Sequence, residues 1–134
     1  METHTLLRRA LLGNAAFSAT AAAIMTLFAS WLAPQIGLGS PFPIVVVAGL
    51  LLVFAAQLVM LARAPRVRGA EIVAVIVGDF AWVFASGVMM VRFGDTFTLV
   101  GYLMVDIVAL VVLSFGIAQA VGLRRARAGR TAPV

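Results

Sequence analysis

The chain has 134 residues, of which 63% are hydrophobic and 11% charged, and its mean hydropathy is +1.13. Soluble domains average closer to half apolar and a quarter charged, so this composition excludes a soluble globular protein and predicts an integral membrane protein. The net charge of +5 comes from ten arginines, but these flank apolar runs, which is typical of orientation signals rather than of nucleic-acid binding.

The residues on which most enzyme chemistry depends are missing from the sequence. There is no cysteine and a single histidine, His4, which excludes disulfides, thiolate metal sites and cysteine nucleophiles. One histidine without cysteines provides no metal-ligand cluster, and no Ser/His/Asp set can be assembled around it. We therefore expect a non-enzymatic protein with no metal and no cofactor.

Four apolar runs follow one another, separated by short segments rich in proline, glycine or arginine. A helix needs about 20 apolar residues to cross the bilayer core, and each run reaches or approaches that length. The first run exceeds the roughly 7–15 residues of a signal-peptide core, so we expect it to be a retained helix. The sequence predicts an all-α fold, a single membrane domain (1–134) forming an up-down-up-down transmembrane four-helix bundle. The predicted helices are residues 7–33, 43–63, 70–92 and 97–123, followed by a disordered basic tail, 124–134.

The arginines predict how the chain is oriented. Nine of the ten lie in the N-terminal head, the loop at residues 63–68 and the C-terminal tail, which an even number of helices places on one side. Because positive charge is retained in the cytoplasm, both termini are expected there, in a multi-pass protein of a bacterial inner membrane. Arg124, Arg125 and Arg127 are expected to contact anionic lipid headgroups, and no nucleic-acid partner is expected.

Each predicted helix carries one strongly polar side chain in the membrane interior: Asn14, Gln57, Asp79 and Asp106. An aspartate at the centre of a membrane helix costs about 2.5–3.5 kcal/mol on insertion scales. We therefore expect these four residues to form a polar seam inside the bundle. Further residues expected to line it are Ser18, Trp82, Ser86 and Tyr102.

Three- and four-residue steps define the predicted inward faces of the last two helices. On the third helix the stripe comprises Glu71, Val75, Gly78, Asp79, Trp82, Ser86, Met89 and Met90. On the fourth it comprises Tyr102, Asp106, Ala109, Leu113, Gly116 and Ala120. The opposite face of the third helix, which begins with Ile72, is expected to face lipid.

Three functions remain open from these residues. The favoured one is a structural or accessory bundle that partners other membrane proteins, with the aspartates as interhelical hydrogen-bonding groups. The second is a small oligomeric channel or proton-coupled transporter that uses Asp79 and Asp106. The third is a binding module for lipid, quinone or pigment, lined by Trp82 and Tyr102. The expected partners are the lipid bilayer and either a second copy of the chain or another membrane protein.

Three stretches carry a resemblance to known families: LRRALLGNAAFSA at 7–19, VGDFAWVFASG at 77–87 and GYLMVDIVALVVLSFGIAQAVGLRR at 101–125. Their arrangement resembles a group of uncharacterised small four-helix bacterial membrane proteins. In size and topology the chain is also similar to DoxX-like proteins. The resemblance implies a bacterial membrane bundle and no residue roles. Small multidrug exporters carry a glutamate in their first helix, whereas this chain has Asn14 there.

Overall fold

The computed structural model describes residues 5–131, with side chains described to residue 129, so His4 and residues 132–134 lie outside the described part. Four α-helices follow in chain order: α1 (Thr5–Ile36), α2 (Phe42–Arg63), α3 (Gly69–Arg92) and α4 (Leu99–Thr131). A 3-10 turn, Gly94–Thr96, precedes α4. All four helices are long and apolar enough to cross a membrane. The prediction of an all-helical protein with four helices long and apolar enough to span a membrane is confirmed.

The fourth helix is longer than the sequence predicts. The tail expected to be disordered from residue 124 is helical as far as Thr131. Arginine and alanine are good helix formers, and basic side chains are favourable near a helix C-terminus. Leu123 and Ala126 are also buried against the rest of the protein. Local propensity and packing together therefore extend α4 past the apolar run.

The end of α1 is tied to the start of α4. Gly37 has a φ of 100°, and the N–H groups of Gly37 and Leu38 both donate to the carbonyl of Ala33, at 3.1 and 2.8 Å, which closes α1 with a left-handed cap. The Thr98 hydroxyl accepts from the Gly101 N–H at 3.0 Å, which caps α4. The same hydroxyl donates to the Gln35 carbonyl. One side chain thus joins two helix ends.

The helices do not pack equally against one another. The α1 helix packs against both α2 and α4, α3 packs mainly against α4, and α2 and α3 touch at few positions. A Cβ at Gly122 would lie 2.9 Å from the Leu7 Cα, and one at Gly101 would meet the Ile36 carbonyl. Opposite ends of α1 and α4 therefore meet, so these two helices run in opposite directions. Glycine permits this close backbone approach, which drives helix association where lipid removes any hydrophobic force.

Two apolar cores lie at opposite ends of α1. The larger draws on all four helices and comprises Leu7, Leu11, Ala15, Leu58, Leu61, Ala62, Ile72, Val75 and Leu123. The smaller comprises Ala29, Leu32, Ala33 and Ile44. The expectation that Ile72 faces lipid is wrong, because it lies three residues before Val75, on the same buried side of α3. The larger core closes the bundle at the end that holds the start of α1 and the end of α4.

Candidate functional site

A buried carboxyl group, that of Asp79 on α3, is bonded by side chains from two other helices. Asn14 on α1 donates from Nδ2 to both carboxyl oxygens, at 3.2 Å to Oδ1 and 2.9 Å to Oδ2. Gln119 on α4 donates from Nε2 to Oδ2 at 3.2 Å. Asp79 is 2% exposed, and Asn14 and Gln119 are 0% exposed. The Ser18 hydroxyl completes this Asp79 cluster (Asn14, Ser18, Asp79 and Gln119) by donating to Asn14 Oδ1 at 3.3 Å.

Residue spacing along each helix brings the side chains of the Asp79 cluster together. Asn14 and Ser18 are four residues apart on α1, so their side chains share a face. On α4, Gly116 precedes Gln119 by three residues and lies on the same face. A Cβ at Gly116 would be 3.4 Å from the Asp79 Cβ. The small residue therefore brings α4 close enough for the Gln119 amide to reach the carboxyl group.

The cluster contains more hydrogen-bond acceptors than its own donors satisfy. A carboxylate can accept about four hydrogen bonds, and Asp79 receives three. Gln119 Oε1 is buried and has no hydrogen-bond partner. The ion pair found among the described residues, Arg68 with Glu71 at 3.3 Å, is exposed and supplies no hydrogen bond to the cluster. The site is therefore suited to a group that donates hydrogen bonds.

A cavity of about 610 Å³ lies beside the cluster, between the four helices. Asn14, Ser18 and Asp79 contribute to its wall, and along α1 the lining continues as far as Ile36. The remaining wall is almost entirely apolar and includes Phe17, Ile24, Leu51, Phe54, Trp82, Met89, Val108 and Val112. The cavity is thus a long apolar space with a polar patch near one end.

The structure brings together only part of the predicted polar seam. Asn14 and Asp79 are bonded as described, and Ser18 joins them. Trp82 and Ser86 line the cavity, with the Ser86 hydroxyl donating to the Trp82 carbonyl at 2.8 Å. Gln57 is half-buried and its side chain makes no hydrogen bond to the cluster. Tyr102 packs edge-on against Phe97, with ring centroids 6.0 Å apart.

Asp106 lies outside the seam, which corrects the predicted inward face of α4. It is exposed and lines a groove between α3 and α4 on the outside of the bundle. Asp106 and Gln119 are 13 residues apart, and at 3.6 residues per turn they lie about 140° apart around the helix axis. They cannot face the same interior.

The buried face of α4 comprises Val112, Gly116, Gln119, Leu123 and Ala126. Sequence reasoning missed Gln119. The signal that could have found it is the alternation of four- and three-residue steps through these five positions, which marks the seam of packed helices.

The predicted headgroup arginines lie at one end of the bundle. Arg124, Arg125 and Arg127 are exposed, and a Cβ at Gly69 would be 3.3 Å from Nη2 of Arg127. At the same end, Arg8 donates from Nη2 to the Ala64 carbonyl at 3.1 Å. The start of α1, the α2–α3 loop and the end of α4 are therefore neighbours.

Among the residues the structure describes, no three or more histidine, cysteine, aspartate or glutamate side chains gather as metal ligands would. No protein-family model, curated protein or solved structure matches the chain. The features of chemical interest are the Asp79 cluster, the cavity beside it and the exposed Asp106.

Proposed function

We propose that this protein binds an amphiphilic molecule from the bilayer, with a hydrogen-bond-donating head at Asp79 and an apolar tail along the cavity. The observation that carries the proposal is the buried Asp79 carboxyl on the wall of an otherwise apolar cavity. The volume of 610 Å³ falls within the roughly 300–1,000 Å³ of small-molecule sites. Such sites combine apolar walls with a few placed polar groups, as this cavity does.

The acceptor on the cavity wall defines the ligand's head. Asp79 lines the cavity and can accept a further hydrogen bond, whereas Gln119, whose Oε1 has no partner, is not part of the cavity wall. A buried acceptor without a donor is costly, so a ligand that donates gains binding energy there. Two kinds of head share this chemistry: a hydroxyl, as in a quinol or a long-chain alcohol, and a protonated amine.

The packing supports entry from the lipid and argues against a conducting path. Because α2 and α3 touch at few positions, the cavity is least enclosed between them. The larger apolar core, with Leu11, Leu58 and Ile72 fully buried, fills the other end of the bundle. A proton or ion moving along the bundle axis would have to cross this apolar core, and Asp106 is not aligned with Asp79. We therefore favour a binding module over a channel, and we do not assign it catalysis.

We place both termini in the cytoplasm of a bacterial cell, with the four helices alternating in direction across the inner membrane. The arginines gathered at one end of the bundle support this orientation. Because the chain has no cysteine, Gly39→Cys and Ala64→Cys each introduce a single thiol. A membrane-impermeant maleimide should label residue 39 on intact cells and residue 64 only after lysis. Labelling of residue 64 on intact cells, and of residue 39 only after lysis, would show that the termini lie outside the cytoplasm.

Two tryptophans provide a matched pair of probes for ligand binding. Trp31→Phe leaves only Trp82, which lines the cavity, whereas Trp82→Phe leaves only Trp31, which is 63% exposed on the outside. We propose titrating dodecylamine, dodecanol and dodecane into lipid nanodiscs that contain each variant. Trp82 fluorescence should change saturably with the amine or the alcohol and not with dodecane. Trp31 reports only partitioning into the bilayer.

The Asp79→Asn substitution separates the two kinds of head. It keeps an acceptor but removes the charge, so amine binding should weaken by about 10- to 100-fold, the value of a hydrogen bond to a charged group. Alcohol binding should change much less. The proposed site would be refuted if dodecane bound saturably and as tightly as dodecylamine and dodecanol. It would also be refuted if Trp31 and Trp82 gave identical fluorescence responses.

A further inference from the structure

The second membrane-embedded acid, Asp106, faces outward from the bundle. It lies in a groove of about 420 Å³ between α3 and α4, whose lining comprises Val83, Ser86, Gly87, Met90, Asp106, Ala109, Leu110 and Leu113. Within the described residues its carboxyl group has no hydrogen-bond or ion-pair partner. Asp79, by contrast, has three donors. The groove and the cavity share Ser86 in their walls, but Asp106 lines only the groove and Asp79 only the cavity.

The depth of Asp106 makes an unpaired carboxyl unfavourable. It is seven residues after Leu99, which at 1.5 Å per residue places it about 10 Å along the axis from the start of α4. Its neighbours in the groove and along α4 are mainly apolar. Acids inside membranes pair with bases or with backbone groups, because lipid provides no compensating interaction.

We propose that the α3–α4 groove binds a transmembrane helix of another membrane protein that carries a lysine or arginine at the depth of Asp106. Charge complementarity favours this partner over a second copy of the chain. A second copy would bring another carboxyl group and the Ser86 hydroxyl, which already donates to Trp82. Arg92, which ends α3, makes no ion pair with Asp106.

The shape of the groove also suits a helix. Gly87 on α3 has no other atoms within 4 Å of the position its Cβ would take, and Ala109 on α4 is half-buried beside it. Small residues let a partner backbone approach closely, which is how membrane helices gain packing contacts. A cation on the partner could then lie close to the Asp106 carboxyl group, which lines the same groove.

The test uses synthetic leucine-rich transmembrane peptides of about 20 residues, identical except for lysine, glutamine or leucine at the centre. Energy transfer is measured in lipid vesicles between a dye on the peptide and a dye on Gly39→Cys of the protein. The lysine peptide should associate about tenfold or more tightly than the leucine peptide. Asp106→Asn should abolish that preference, whereas Asp79→Asn should retain it.

A second variant guards against a folding defect. Gly87→Leu fills the groove without altering Asp106 and should also weaken association with the lysine peptide. Equal binding of the lysine and leucine peptides, or a lysine preference that survives Asp106→Asn, would overturn the proposal. So would efficient disulfide cross-linking of Ala109→Cys between two copies in vesicles, which would show that a second copy covers the groove. These results are independent of whether dodecylamine or dodecanol binds in the cavity.

Discussion

Asn14 and Gln119 are the two amide side chains that bond Asp79. Asn14→Ala should destabilise the bundle more than Gln119→Ala. Asn14 provides two of the three hydrogen bonds to the carboxyl group and accepts the bond from Ser18. Gln119 provides one, and its Oε1 is already without a partner. Truncating Asn14 leaves Asp79 Oδ1 and the Ser18 hydroxyl without partners. Truncating Gln119 leaves Asp79 Oδ2 still bonded to Asn14 and removes an unsatisfied atom.

The number of hydrogen bonds lost sets the expected decrease in the free energy of unfolding. Interhelical hydrogen bonds in membranes contribute about 0.6 kcal/mol on average and up to about 1.7 kcal/mol, and leaving a buried group unpaired costs about 1–3 kcal/mol. Asn14→Ala should therefore lower the free energy of unfolding by about 2–4 kcal/mol. Gln119→Ala should lower it by about 0.5–1.5 kcal/mol.

The assay is reversible unfolding in mixed micelles with increasing dodecyl sulfate, followed by tryptophan fluorescence. Gln57→Ala is the matched control, because this amide is half-buried and not bonded to the cluster, and it should change stability by less than about 0.5 kcal/mol. The reasoning fails if Gln119→Ala costs more than Asn14→Ala, or if neither differs from Gln57→Ala.

Two further predictions concern the contact between α1 and α4. Gly122→Ala should destabilise the protein despite alanine's higher helix propensity, because the new Cβ would lie 2.9 Å from the Leu7 Cα. Gly49→Ala, which has nothing within 4 Å, should be neutral or stabilising by up to about 1 kcal/mol, and the same unfolding assay compares the two. Thr98→Val should cost about 0.5–2 kcal/mol, since it removes the cap of α4 and its bond to α1. A loss of under 0.3 kcal/mol for Thr98→Val, or equal effects of the two glycine substitutions, would contradict this account.

The inward face of α3 was predictable only in part, because Ile72 is buried and Glu71 and Gly78 of the predicted stripe are exposed, and the inward face of α4 was not predictable. On α3, the steps from Val75 through Asp79 to Ser86 coincide with the buried side. On α4, apolar residues cover the lipid side as well as the packed side, so hydropathy gives no contrast between the faces. Asp106 was expected inside because a carboxyl group facing lipid is unfavourable, yet the fold leaves it outside.

The sequence by itself determined that the chain has four helices long and apolar enough to span a membrane, and it indicated which helix ends carry the positive charge. These are local properties, because the bilayer thickness sets the length of each apolar run. Only the tertiary structure decided that Asp79 meets Asn14 and Gln119 rather than Asp106. That pairing joins residues 65 and 40 positions apart. It depends on how each helix is rotated about its axis and on the close approach that Gly116 allows.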